Sequence, residues 1–426
     1  MNRLRTPIRV WSCLVAAALT FVAAPRLWAQ TAQSSTMREE EVFARWLRNS
    51  PEVTSWRTQV GAARFDVVTA SLWHNPDVAI SANALLAGAP PDGQTGEQVQ
   101  VTIELPIFGQ IAARKEAALA MVSVAEVTVA ATVWNRGSEI ESAMVDRAFA
   151  DARLAMLKVN LAELDRIERV VAARTAAGAN SRYDVLRVST STATLRGAVS
   201  NATIERDRAE ATILGLVADP TLKEASVTRE GLASFRGPDN EAALIDIALA
   251  RRPDVELARR GVVAAELSEK RYRRDAIPSP SVFVAGYVVQ HEYGFQLSGG
   301  VSFPLPIFDR NQGSIGRAQQ EAQGQRNLVR ALDTRVRAEV SGSWRARKNA
   351  RLALEDFRAH SLPDATELLQ RAEVTYQTGT FSIAELFDAY QAMWDVRSQQ
   401  LALERQAAEA EADLEHAAVL LPIVAP

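Results

Sequence analysis

Cysteine is all but missing: Cys13 is the only one in 426 residues. An intrachain disulfide is thereby excluded, and so are the Cys-x-x-Cys pairs of redox and zinc sites. Histidine is scarce as well. His74, His291, His360 and His416 stand far apart with no His-x-x-x-His spacing, so the usual sequence sign of a metal centre is lacking. There is no glycine-rich phosphate loop, no G-x-S-x-G and no paired catalytic carboxylate. Nothing here points to a cofactor or to an enzyme. A net charge of −3 argues against a nucleic-acid partner. Aromatic residues make up only 6%, and the abundance of Ala, Leu, Val, Glu and Arg favours long helices. Beyond the N-terminus no stretch approaches 18 uninterrupted apolar residues. Any membrane crossing then falls to strands.

The N-terminus reads as a secretory signal. Arg3, Arg5 and Arg9 precede an apolar run over 14–24, and small residues follow with a cut after Ala29. The competing reading, a membrane anchor, needs a run of roughly 20 residues, more than is present. Cys13 precedes most of the run, where a lipid-attachment cysteine would follow it. A chain cut after Ala29 carries no cysteine, which suits an oxidising compartment.

What is present is a duplication. Leu105-Pro106-Ile107-Phe108 returns unchanged as Leu305-Pro306-Ile307-Phe308, 200 residues later. Pro51 and Pro253 are 202 apart, Pro76 and Pro278 again 202, and Gly178 and Gly379 are 201 apart. Four landmarks at nearly constant offset mark two copies of one unit. In each copy a short helix (38–49, then 241–252) precedes a proline that starts a second helix. The second helices run to about His74 and to Ile277.

Two strands follow in each copy. Residues 78–85 alternate weakly and 97–105 strongly, with Val99, Val101, Ile103 and Leu105 on one face and Gln98, Gln100, Thr102 and Glu104 on the other. In the second copy 281–289 is rich in Val, Phe and Tyr, and Phe295, Leu297, Val301 and Phe303 alternate with small or polar residues. Such strands fit a soluble hairpin with one face on a core. They equally fit a membrane barrel, apolar to lipid and polar to a lumen, at about 9–11 residues per tilted strand. Four strands cannot close a useful barrel, so a spanning barrel has to be shared between chains.

Each LPIF leads into an exceptional helix. No proline occurs from 107 to 219 or from 307 to 362. A continuous helix over 109–175 would be ~100 Å long. Ala150, Leu157, Leu164 and Val171 repeat every seven residues, with Leu154 and Leu161 between them, as in a coiled-coil seam. The helix breaks around Gly178 and returns from Ser181; the second copy goes out over 309–377, turns at Gly379 and returns from Ser382. Ser181 and Ser382 are natural N-caps. Pro363 kinks the second outgoing helix, and Pro106 and Pro306 mark strand–helix junctions.

With this pattern the chain resembles the TolC-like outer-membrane factors over nearly its whole length after the signal. The most specific matches are Phe303-Pro304-Leu305-Pro306-Ile307-Phe308-Asp309-Arg310-Asn311-Gln312-Gly313 and the tip Tyr376-Gln377-Thr378-Gly379. PLPIFDRNQG looks most like the heavy-metal branch, of cobalt-zinc-cadmium or copper-silver type. The resemblance implies a mainly helical fold with membrane β. Three chains would share a 12-stranded outer-membrane β-barrel above a periplasmic α-barrel. The implied partners are two further copies in a homotrimer, a periplasmic adaptor, an inner-membrane RND proton antiporter and outer-membrane lipid; no cofactor is implied.

By the same resemblance, counted from Gly379, Glu385 and Asp388 fall where the family constricts its tunnel mouth, and Asp184 falls at a position that latches the closed tip. Three copies of Glu385 and Asp388 around an axis would select for cations. The plain alternative is a pair of solvated carboxylates near a helix N-terminus. Phe381 stands where the family often has a basic residue, which leaves Arg182 or Arg187 as substitutes in the latch. Gly178, Arg182, Asp184, Gly379 and Phe381 make up the expected latch and adaptor-docking tip.

The expected organisation is a signal peptide (1–29), first-repeat helices (30–77), a first β-hairpin (78–106) and a first long helical hairpin (107–217). A linker (218–240) packing midway along the helices leads to second-repeat helices (241–279), a second β-hairpin (280–306), a second long hairpin (307–420) and a tail (421–426). The function expected is the outer-membrane exit duct of a tripartite heavy-metal efflux system. Drug export and type I protein secretion compete with metal export. A periplasmic adaptor and a soluble coiled-coil scaffold compete with the duct itself.

Overall fold

The structure, a computed structural model, describes residues 37–84, 95–176, 181–227, 232, 235–289 and 294–420. The signal segment, Gly178 and His291 lie outside them. The first half contains α1 (Glu39–Asn49), α2 (Pro51–Ser71), β1 (Asp77–Ala84), β2 (Thr95–Glu104), α3 (Gln110–Ala176) and α4 (Arg182–Val217). The second contains α5 (Glu241–Arg251), α6 (Pro253–Asp275), β3 (Ser281–Val289), β4 (Gly294–Ser302), α7 (Gln312–Ala359), α8 (Ser361–Gln377) and α9 (Ile383–Ala417). Two long outgoing-and-returning helix sets with four strands do not fit a one-hairpin adaptor.

Prolines set the helix starts. Pro51 and Pro253 occupy first-turn positions of α2 and α6, where the missing N–H has no partner to lose. α3 runs 67 residues without interruption, about 100 Å at 1.5 Å per residue. The second outgoing helix does not. Pro363 disturbs it as expected: α7 ends at Ala359, His360 intervenes at φ −117° and ψ −61°, and α8 begins at Ser361, while the His360 N–H still donates to Asp356 and the Asp364 N–H to His360. Proline has no N–H to offer the carbonyl four residues back, so the ladder opens there. α2 also stops at Ser71, earlier than the expected His74, and α7 starts at Gln312 rather than 309.

All four strands join one antiparallel sheet in the order β1-β2-β3-β4. Val101 pairs with Val78 and with Val284, and Ile103 and Val301 both pair with Val282. The register therefore places Val78, Ile80, Val99, Val101, Ile103, Val282, Val284, Leu297 and Val301 on one face, all exposed. The opposite face is polar, with Gln98 donating to Gln100 and Gln100 to Thr102. Phe283 on that face lies over Gly300, where a Cβ would approach the ring to 2.8 Å. β1 and β4 each have one edge with no partner strand among the described residues. An isolated soluble sheet with two open edges and an apolar exposed face is an aggregation hazard; the same sheet is a sector of a membrane barrel.

Below the sheet the helices bury several cores among the described residues, three of them large. Val42, Phe43 and Trp46 of α1 pack with Val129 to Ala148 of α3, with Ile213 and Val217 of α4, and with Ala225 and Val227 of the linker. Met37 pairs with Val227 as a parallel bridge, so the linker lies midway along the helices. The second half repeats this with Leu244 of α5, Val336 and Val340 of α7 and Leu414 of α9. The tip core joins Leu164, Ile167 and Val171 of α3 to Val188, Tyr376, Leu386, Phe387 and Tyr390. The expected heptad seam is only partly right. Leu154, Leu164 and Val171 are buried, but Leu157 and Leu161 are half-buried while Asn160 and Ile167 are buried. α3 touches both α4 and α9, and two neighbours need a wider stripe than a two-stranded seam.

α3 holds an 18-residue window with mean hydropathy 1.7, apolar enough by composition to cross a membrane. α2 and α6 pack along this helix, as α4 and α9 do, so it belongs to the helical tube.

Candidate functional site

At the tip, α4 and α9 have matched helix starts. Ser181 and Ser382 each cap their helix, accepting from the N–H of Asp184 (3.3 Å) and Glu385 (3.4 Å). In return each carboxylate accepts from the serine N–H, at 3.0 Å for Asp184 and 2.7 Å for Glu385. These are reciprocal capping boxes. Asp184, expected in a latch between helices, is thus engaged by its own helix end in this chain. The Ser382 N–H and hydroxyl hold the Glu385 carboxyl below its ordinary pKa, so it is ionised. Gly379 has φ +80°, a left-handed conformation that ends α8 and suits glycine.

One turn past Glu385, the carboxylate of Asp388 accepts from Arg187 at 2.8 Å. Arg187 and Asp388 are 201 residues apart, so they hold equivalent places in the two repeats, and their pair ties α4 to α9. The Arg187 guanidinium also lies 5.3 Å from the Phe387 ring centroid. Of the two arginines considered for the latch, Arg187 is paired; Arg182 forms no ion pair among the described residues. Asp388 and Arg187 are partly exposed, so Arg187→Ala should lower stability by less than about 1 kcal/mol in denaturant titration. Its expected effect is local to the tip: hydrogen exchange in the first turns of α4 and α9 should rise while that of α3 stays unchanged.

Behind the mouth lies a network that spacing did not reveal. Arg166 donates to Tyr390 (3.0 Å), whose hydroxyl donates to Glu373. Burial and that bond to Glu373 push the Tyr390 phenol up to about 12. Arg397 pairs with Glu163 at 3.1 Å, and the Trp394 indole donates to the same carboxylate at 2.9 Å. Arg174 covers the Tyr376 ring at 4.3 Å. These partners lie 17 to 234 residues apart in sequence, so no local pattern announces most of them.

Between sheet and helices, Pro106 and Pro306 centre identical tight turns. Ile107 and Ile307 donate to Leu105 and Leu305, both at 2.8 Å, a three-residue turn that proline's fixed φ favours. A left-handed residue then precedes each long helix, Gly109 at φ +82° and Asn311 at φ +60°. Gln110 and Gln312 accept from the N–H two residues back, at 2.9 and 2.7 Å. The glutamine is a second signature of the junction, visible in sequence as the residue that follows Gly109 and Asn311. Phe303, Leu305, Ile307 and Phe308 continue the apolar face of β4, with Phe308 90% exposed.

Among the described residues no group of His, Cys, Asp or Glu is placed to hold a metal ion. A groove of about 560 Å³ between α3, α4 and α9 is lined by Arg153, Arg208, Arg405 and Glu205 together with Phe149 and Leu401. It lies along the side of the helices, away from the tip.

Residues 43–218 match the outer membrane efflux protein family. The cobalt-zinc-cadmium resistance protein CzcC of Cupriavidus metallidurans is 23% identical over 314 residues, covering 73% of this chain and 74% of CzcC. Among solved structures, CusC superposes with a TM-score of 0.73 at 18% identity, over 89% of this chain and 91% of CusC. The Campylobacter jejuni CmeC outer membrane channel gives 0.74 at 15% identity, over 89% and 85%.

Proposed function

We propose that this chain is an outer-membrane efflux channel of the TolC-like kind and that it forms, as a homotrimer, the exit duct for heavy-metal cations. The match of residues 43–218 to the outer membrane efflux protein family supports the channel; the cargo, the stoichiometry and the partners are the finer reading. The sheet carries it. Four strands with one apolar exposed face and two open edges stand at the head of a helix about 100 Å long. Joining the open β4 edge of one copy to the β1 edge of the next removes every edge and turns the apolar face to lipid. Three copies give twelve strands.

In this reading the LPIF turns form a collar of six at the membrane's inner boundary, where aromatic side chains favour the interface. At the other end, Glu385 and Asp388 line the mouth in three copies, and a carboxylate-lined constriction favours cations. Energy comes from an inner-membrane RND antiporter through a periplasmic adaptor. The tip offers that adaptor the exposed Tyr183, Leu186 and Phe381, with Arg182 and the turn at Gly379; Gly178, also expected there, lies outside the described residues. Support for a metal cargo is the carboxylate pair and the likeness to CzcC.

Purification of the mature chain tests the duct: a detergent-dependent trimer is expected, and a monomer soluble without detergent rejects it. Deletion followed by parallel challenge with zinc, cobalt, cadmium, copper and dyes tests the cargo. Sensitivity to the metals alone is expected; sensitivity to dyes alone replaces metal export by drug export.

A further inference from the structure

At the waist, where the linker crosses between the two repeats, carboxylates outnumber their cation in a buried place. Arg236 of the linker donates through its guanidinium to both oxygens of Glu39 on α1, at 3.1 and 2.7 Å. Its backbone N–H donates to Glu415 on α9 at 3.0 Å, and its guanidinium lies 3.6 Å from the other oxygen of that carboxylate. Glu141 of α3 faces the same cluster, acted on by Glu39, Glu415, Arg236 and Asp413. Its Oε2 is buried with no hydrogen-bond partner among the described residues. Glu39, Glu141 and Glu415 are 9%, 5% and 5% exposed.

The neighbouring charges do not make up the deficit. Arg347 of α7 is taken up by its own partners, Glu411 of α9 and Asp239 of the linker, both at 3.3 Å. Asp413 on α9 adds negative charge, and so does Glu411 towards Glu415. Three buried carboxylates therefore share one guanidinium. Removing ions from water is costly unless each is matched, and the cheaper solution is to keep a proton on one of them.

We propose that Glu141 and Glu415 form, with Arg236 and Glu39, a proton-dependent clasp that fastens α1, the linker and α9 at the waist and loosens when its proton leaves. The clasp goes beyond the duct reading and does not depend on the cargo or on the tip. It joins the first described helix, the connection between repeats and the last helix, so loosening it frees one repeat to shift against the other. It would make the rigidity of the waist follow the pH around the protein.

The direction follows from linkage. Burial pushes the Glu415 carboxyl from its ordinary 4.5 up to about 7, and Glu141 is raised as well. Between these values the folded chain holds a proton that the unfolded chain has lost. The stabilisation is complete below about 4.5 and is lost as pH rises through about 7. For one such proton the opening equilibrium rises about tenfold between pH 6 and pH 8.

Hydrogen exchange on the detergent-purified protein tests it. After correction for intrinsic base catalysis, exchange of the amides of α1 and residues 236–240 should rise about tenfold from pH 6 to pH 8. In Glu141→Gln/Glu415→Gln, and to a smaller extent in Glu415→Gln alone, that rise should vanish, whatever the absolute rate. The slope is the readout, because a merely structural loss raises exchange at every pH. A flat wild-type profile, or a slope that the double variant keeps, overturns the clasp. The wild-type profile decides the matter even where the double variant fails to fold.

Discussion

Single-channel recording of Glu385→Gln/Asp388→Asn in a planar bilayer should show a reversal of ion preference, from cations to anions. Asp388 is already matched by Arg187 at 2.8 Å, while Glu385 is held only by the neutral groups of Ser382. Counting these three residues, each chain brings one net negative charge to the mouth. Neutralising both carboxylates leaves Arg187 unmatched and brings one net positive charge instead. In the proposed trimer the ring goes from three negative charges to three positive. Within a Debye length of about 8 Å at physiological salt such a ring dominates the local potential. Glutamine at position 385 keeps the capping box, since Gln serves there as Glu does, so the helix start should stay folded. Adding Arg187→Gln should then abolish preference of either sign. Unchanged cation preference in the double variant would remove both carboxylates from the constriction.

The largest loss of stability is expected at Trp46→Ala. Trp46 is fully buried, with Phe43 and Trp56 rings each 6.4 Å from its own. Its core binds α1 to α3, α4 and the linker. Truncating a buried tryptophan costs about 3–5 kcal/mol. The lower end applies here, because the Trp46 Nε1 is itself buried without a partner among the described residues and its removal returns some desolvation cost. Trp46→Phe should cost much less for the same reason. Denaturant titration in detergent, followed by circular dichroism, measures both. Phe308→Ala is the control: at 90% exposure it should leave the titration midpoint unmoved. An equal loss at both positions would contradict the placement of the core.

The repeats, the strands and the long helices were legible because each rests on a local signal. Val99, Val101, Ile103 and Leu105 alternate in the chain itself, and Pro51 and Pro253 mark their helices wherever they lie in space. The seam at Leu157 and Leu161 was misjudged because a heptad describes one partner, and α3 has several. At the tip, the serine caps could be read from sequence, but the reciprocal use of Asp184 and Glu385 was masked by the roles suggested for them by resemblance. Arg187 was read as one of two options, and only geometry paired it with Asp388. The Arg236 cluster was invisible. Its partners lie 179 and 197 residues away, and a lone arginine in a linker carries no pattern.

The joint at His360 gives the two repeats differently divided outgoing helices. α3 is a single strut of 67 residues, whereas its counterpart is a strut of 48 with a separate arm of 17. That arm is about 25 Å long, so tilting it by about 10° at the joint swings its far end through about 4 Å. The arm ends beside Gly379 and the helix that carries Glu385 and Asp388. One repeat is thus spanned by a single uninterrupted helix, and the other by two helices meeting at a proline-weakened joint, where any bending of the outgoing path concentrates.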